Sequence, residues 1–72
     1  MNKHKWTINE NIIVSLGYKN KYKIEDIHNL LPHISLNSIK MKYANCLYLD
    51  KGQVKGSLSN VSKNHKIIWN KI

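Results

Sequence analysis

Apolar residues recur at helical spacing in successive short stretches of this chain, and each stretch is bounded by residues that start or stop a helix. The first stretch repeats every three or four positions and consists of Ile8, Ile12, Ile13 and Leu16. Thr7, followed three positions later by Glu10, forms the capping-box pattern that satisfies free amide donors at a helix start. The sequence therefore predicts a first helix that opens at Thr7 and is ended by Gly17 and the stretch Lys19-Asn20-Lys21.

Two further stretches follow the same rule. The second has one apolar face, formed by Ile24, Ile27, Leu30 and Leu31. Pro32 ends it, because the residue before a proline leaves the helical region. The third runs from near Ser35 to about Leu49, and a turn of about 100° per residue aligns one apolar stripe of Leu36, Ile39, Tyr43, Cys46 and Leu47. The sequence Asp50-Lys51-Gly52 marks its stop.

The rest of the chain has weaker signals. Residues 51–60 contain two glycines and no clear period, which indicates a loop or a small wing, and a final helix is expected from Ser62. The predicted fold class is all-α, with a three-helix helix-turn-helix core, a loop and a short C-terminal helix. We divide the chain into a basic N-terminal arm (1–5), a trihelical core (6–50), and a loop and helix that pack on that core (51–72).

Charge gives the first indication of function. The chain contains twelve lysines, four acidic residues and no arginine, so its net charge is +8. Such a field attracts polyanions, of which nucleic acid is the commonest in a cytosol, although the lysines could also serve only solubility. Lysine neutralises phosphate but lacks the planar fork that pairs with guanine, and an AT-rich coding genome would equally explain the missing arginine.

Cysteine content and hydropathy limit the classes of protein to which this chain could belong. A single cysteine, Cys46, excludes an internal disulfide and any zinc site built on several cysteines, and we expect it in the core. No run approaches the roughly 18–20 apolar residues of a membrane span. We expect a cytoplasmic protein of bacterial or phage origin, with no membrane partner.

The first three helical signals resemble Myb-like and homeodomain-like DNA-binding domains. The resemblance covers roughly residues 6–49: Trp6-Thr7 heads helix one, Leu30-Leu31-Pro32 closes helix two, and residues 35–38 lead into helix three. The string from Leu31 to Lys40 is similar to the junction that introduces the recognition helix in that family. The resemblance implies that helix three enters the major groove of double-stranded DNA.

Residues 38–69 also resemble the N-terminal region of bacterial HNH-class restriction endonucleases. The matching positions are Met41, Lys42, Asn45, Leu49, Asp50, Gly56, Asn60, Ser62 and Trp69. The pattern departs at Tyr43, Ala44 and Cys46, and Ser57 interrupts the usual glycine–leucine step. This resemblance implies a DNA-contacting region that could target a covalently attached nuclease domain in a longer parent protein.

The predicted DNA-reading face lies on helix three, opposite its apolar stripe. It consists of Asn37, Ser38, Met41, Asn45 and Tyr48. Asparagine can pair bidentately with adenine, and an apolar side chain can touch a thymine methyl group. The same face could instead pack against the C-terminal segment, or be an ordinary solvated surface, and Asn45 could be a buried structural asparagine.

Lysines around this face are the predicted phosphate contacts. Lys40 and Lys42 flank the helix, and the remaining candidates in the arm and loop are Lys3, Lys5, Lys51 and Lys55. Each of them alone is more simply explained as a solvated charge.

Other residue types point away from catalysis. The four histidines have no ligand-like spacing and no strand pair is visible, so we expect no enzyme activity, metal site or cofactor. Trp6 and Trp69 fit core packing better than base stacking. The predicted function is non-catalytic DNA binding. The alternative is a protein-interaction module of a small regulator, in which Met41 and Tyr48 form an apolar anchor pair.

Overall fold

Four helices make up the described part of the chain. The computed structural model describes residues 5–72, and these residues form α1 (Ile8–Lys19), α2 (Ile24–Leu30), α3 (Leu36–Lys51) and α4 (Lys63–Lys71), with no strand among them. The all-α prediction is therefore confirmed. Every helix in this range is too short or too polar to cross a bilayer.

Local capping chemistry fixes the ends of these helices. The Glu10 amide donates to Thr7 Oγ1 at 3.2 Å and the Thr7 amide donates to Glu10 Oε1 at 3.0 Å, which completes the predicted capping box. Ser35 and Ser62 cap α3 and α4 by the same kind of amide-to-hydroxyl hydrogen bond. Gly52 ends α3 with φ of +77°, a conformation that favours glycine.

α1 ends within the predicted stretch Lys19-Asn20-Lys21, but the prediction that Gly17 helps to end it is wrong, because the helix continues through this residue to Lys19. Gly17 is buried against α2, and a Cβ atom there would lie only 2.9 Å from Cδ1 of Ile27. The missing side chain allows the two helices to approach closely. The glycine therefore marks a packing contact, and the helix ends two residues later at Lys19, followed by the C-cap residue Asn20, whose amide donates to Leu16 O.

The apolar core lies where α1, α2 and α3 meet. Its buried members are Val14, Ile27, Leu31, Ile34, Ile39 and Cys46. The apolar stripe predicted on α3 faces this core, with Ile39 and Cys46 fully buried. α4 packs mainly on α1 and closes the remaining side with Ile68 and His65.

A polar cluster lies inside this core. His65 is fully buried, and its Nε2 atom lies 3.1 Å from Ser15 Oγ and 3.4 Å from Cys46 Sγ. Burial, the largest cause, raises the pKa of the Cys46 thiol to about 12, so the thiol stays protonated at neutral pH. The cluster joins one residue from each of α1, α3 and α4.

Candidate nucleic-acid interface

The solvent-exposed face of α3 is centred on its first two turns. Asn37, Lys40 and Met41 are all exposed, and Met41 exposes 54% of its surface despite its apolar side chain. They share one face because positions three and four apart lie close together on a helix. Ser38 lies at the edge of this face, half-buried, and its hydroxyl oxygen accepts a hydrogen bond from Ser35 at 2.9 Å.

The segment after α3 folds back across the middle of the same helix. The amide of Leu58 donates to the carbonyl of Ala44 at 3.2 Å, and a Cβ atom on Gly56 would lie 3.9 Å from Leu47. Tyr48 is half-buried. The open surface is thereby shortened to the part of α3 that precedes Ala44.

Asn45 lies beneath this segment, so its predicted place on an exposed reading face is wrong. Only 7% of its surface is accessible, and its side-chain Nδ2 donates to Leu58 O at 2.9 Å and to Asn60 O at 3.2 Å. Because its donors are used by two backbone carbonyls, Asn45 holds the loop against α3. Asn45 is therefore a buried structural asparagine, which was the alternative interpretation of this position in the sequence.

Lys42 is also buried, which excludes it from the exposed lysines expected to reach phosphate. Its exposure is 7%, and its Nζ atom lies 5.0 Å from the centre of the Trp6 ring. The ammonium group thus has a cation–π contact inside the fold. Burial lowers the pKa of Lys42 from its usual value.

The other predicted lysines that the structure describes are exposed. Lys5 precedes α1, Lys51 closes α3, and Lys55 lies in the segment that crosses α3. Lys55 directly precedes Gly56, which lies beside Leu47 in the second half of α3. Lys3 lies outside the described residues.

The histidines are dispersed. His33 forms an ion pair and hydrogen bond with Glu10, which joins the turn before α3 to the first turn of α1. His65 is in the core, and His28 is half-buried on α2. Within residues 5–72, no three His, Cys, Asp or Glu side chains come together as a group that could hold a metal ion. His4 lies outside this range.

A second basic surface lies at the other end of α3. The ends of α1, α3 and α4 surround an open cleft of about 730 Å³. Its lining includes the aromatic residues Tyr18, Tyr43 and Trp69 and the lysines Lys19, Lys21 and Lys51. Lys51 therefore lies at this cleft rather than beside the first turns of α3.

The burial of His65 and Lys42 was not predicted from the sequence. For His65 a usable signal exists, because Val61, His65, Ile68 and Ile72 follow one another at helical spacing. Comparisons with models of protein families, with curated proteins and with solved structures gave no match for this chain.

Proposed function

We propose that this protein is a non-catalytic module that binds double-stranded DNA through the first turns of α3. The observation that supports it is the exposed cluster of Asn37, Lys40 and Met41 at the N-terminal end of a helix long enough to lie in a groove. Recognition helices of helix-turn-helix proteins place their N-terminal residues against base edges. Within a longer protein, such a module would direct an attached domain to DNA.

Each part of this surface has a distinct role in the proposal. Lys40 neutralises a phosphate beside the groove, while Lys5 and Lys55 reach the backbone on either side of α3. Asn37 supplies a donor and an acceptor for the edge of adenine, and Met41 supplies an apolar contact for a thymine methyl group. The net charge of +8 favours association with any duplex before the bases are read.

Salt dependence tests the electrostatic part of the proposal. Three lysine–phosphate contacts predict a slope of about −3 in a plot of log affinity against log salt concentration. The affinity for a random duplex should then fall about 40-fold between about 50 and 200 mM salt. A fluorescence anisotropy titration that shows no binding at the lower salt concentration would overturn the proposal.

Single substitutions test the location of the surface. Lys40→Ala should weaken binding to all duplexes and reduce the magnitude of the slope by about 1. Lys66→Ala is the matched control, because it removes the same charge from an exposed position on α4. If the two variants lose affinity equally, the binding depends on net charge alone and α3 is not the contact surface.

Base recognition has its own test. Asn37→Ala should flatten the preference for adenine at one position of a selected duplex pool, with a discrimination loss of about 1–3 kcal/mol. Asn70→Ala, an exposed asparagine on α4, is the control and should leave the selected motif unchanged. An unchanged motif in both variants would remove Asn37 from the proposal.

A protein-interaction module is the second candidate, and one observation favours it. An apolar groove of about 260 Å³ lies between α1 and α4, where Ile8 is 63% and Ile67 44% exposed. Exposed apolar clusters of this kind occur at protein interfaces. In this alternative, Ile8→Ser with Ile67→Ser abolishes recovery of a cross-linked protein partner from cells, while affinity for duplex DNA is unchanged.

A further inference from the structure

The cleft at the C-terminal end of α3 is large enough for a small molecule and is lined by both aromatic and cationic side chains. Its volume of about 730 Å³ falls in the range of small-molecule sites. Aromatic rings form its wall and cationic side chains surround its opening. Lys51 at this cleft lies eleven positions after Lys40 of the proposed DNA surface, which is about 16 Å along the helix axis.

The aromatic wall is built from three rings in mutual contact. The ring of Tyr18 lies 5.1 Å from that of Tyr43, at an interplanar angle of 64°, and 5.7 Å from that of Trp69, at 60°. All three residues are half-buried, so each retains some accessible surface. The Nζ atom of Lys19 lies 4.5 Å from the centre of the Trp69 ring and donates to the Ile72 carbonyl at 2.8 Å, so Lys19 covers one face of the indole and a ligand would have to use the other.

The charges at the cleft favour an anion. Three lysines and one carboxylate line it, and the carboxylate of Asp50 already accepts a hydrogen bond from the Tyr18 hydroxyl at 2.9 Å. Burial, followed by Asp50, raises the pKa of Tyr18 to about 12, so the phenol adds no negative charge at neutral pH. The Tyr43 hydroxyl donates a hydrogen bond to the Tyr22 carbonyl at 2.8 Å.

We propose that this cleft binds a nucleoside monophosphate, with the base against the Trp69 indole and the phosphate near Lys21 and Lys51. A planar aromatic ring matches the aromatic wall, since stacking of a base on an aromatic side chain is favourable for every base. The phosphate matches the lysines, which bind it as point charges. The same base-plus-phosphate unit occurs in a free nucleotide and at the phosphorylated end of a strand.

Nuclear magnetic resonance of the tryptophan indoles tests this proposal on the unmodified chain. AMP is added to about 10 mM, enough to fill most of a site with a millimolar Kd. The Trp69 indole signal should shift and saturate, while the Trp6 indole signal, which belongs to a residue outside the cleft lining, should remain in place. The spectrum of Trp6→Phe assigns the two signals.

Matched variants separate a site from general charge attraction. Lys21→Gln should weaken AMP binding about threefold, whereas Lys40→Gln, which removes the same charge at the other end of α3, should leave it unchanged. Inorganic phosphate should bind more weakly than AMP, because it lacks the stacking group. If a 5′-phosphorylated trinucleotide binds more tightly than AMP and Lys21→Gln weakens both, the site is confirmed and strand ends are its natural source.

Several results would overturn the proposal. They are an unshifted Trp69 signal, equal weakening by the two glutamine variants, and phosphate binding as tight as that of AMP. None of them bears on duplex binding by α3, because Lys21 and Trp69 take no part in that proposal. Loss of duplex binding in Lys40→Ala with AMP binding intact would likewise separate the two surfaces.

Discussion

The buried His65 makes the free energy of unfolding depend on pH in a predictable direction. Its side chain has no access to solvent, and Nδ1 finds no hydrogen-bond partner among residues 5–72. Burial, and secondarily the nearby charge of Lys42, lowers the pKa of His65 from 6.5 to about 4. The unfolded chain therefore binds a proton at this histidine more readily than the folded protein does.

The sign and size of the effect follow from linkage. Above pH 6.5 the imidazole is neutral in both states, and its contribution to stability is fully present. As the pH falls from 6.5 to about 4, only the unfolded state gains the proton, and the contribution is progressively lost. The loss amounts to about 3 kcal/mol. This is a large part of the roughly 4–11 kcal/mol expected for a domain of this size.

Urea unfolding followed by circular dichroism between pH 7 and pH 4 measures this loss. His65→Gln is the informative variant, because an amide can still bond to the Ser15 hydroxyl but does not titrate. Its unfolding free energy should fall by about 3 kcal/mol less than that of the parent protein over the same pH range. His28→Gln, on the partly exposed side of α2, is the control and should retain the parent's His65 contribution. An identical pH dependence in His65→Gln and the parent would refute the argument.

Three further substitutions test individual contacts. Gly17→Ala should destabilise the protein by about 1 kcal/mol in urea unfolding, because the new Cβ atom, 2.9 Å from Ile27, outweighs the gain in helix propensity. Asn45→Ala should cost about 1–3 kcal/mol and accelerate amide exchange in the loop, since two backbone carbonyls lose their donor. Lys42→Met removes a buried ammonium group, so the free energy of unfolding should stay unchanged or rise. The same variant should leave duplex affinity unchanged in an anisotropy titration, in contrast to Lys40→Ala.

The helices were predictable because their signals are local. The Thr7–Glu10 capping box, the proline at position 32 and Gly52 each act within one turn of the chain, and the structure places helix ends beside all three. The apolar stripe of α3 was predictable for the same reason. The stop at Lys19-Asn20-Lys21 was predictable, but the role of Gly17 was not, because it depends on Ile27, a residue ten positions away that the local pattern does not include.

The candidate surface was predictable only in part, because a helical wheel does not show which flank is covered. Lys42 and Asn45 lie about 140° and 80° from Asn37 around α3, between the apolar stripe and the open face. Lys42 contacts Trp6, and Asn45 bonds to the backbone of residues 58–60. That segment has no helical spacing of apolar residues, so its position is not predictable from the sequence pattern. Asn37 and Met41 on the predicted face and Lys40 on its flank are exposed as expected.

The position of the returning segment determines how the basic surface of this protein is divided. Leu58 bonds to the backbone of Ala44 in the middle of α3 and ends the open surface of its first turns, whereas the aromatic cleft is lined by Tyr43 and by residues of the last turn of α3. Lysines occur on both sides, so net charge alone attracts polyanions to either surface. Replacing Lys40 or Lys21 removes the same charge from a different surface, so the long-range attraction of a polyanion changes equally in the two variants. The variant that weakens binding of a given ligand more strongly therefore identifies the surface that binds it.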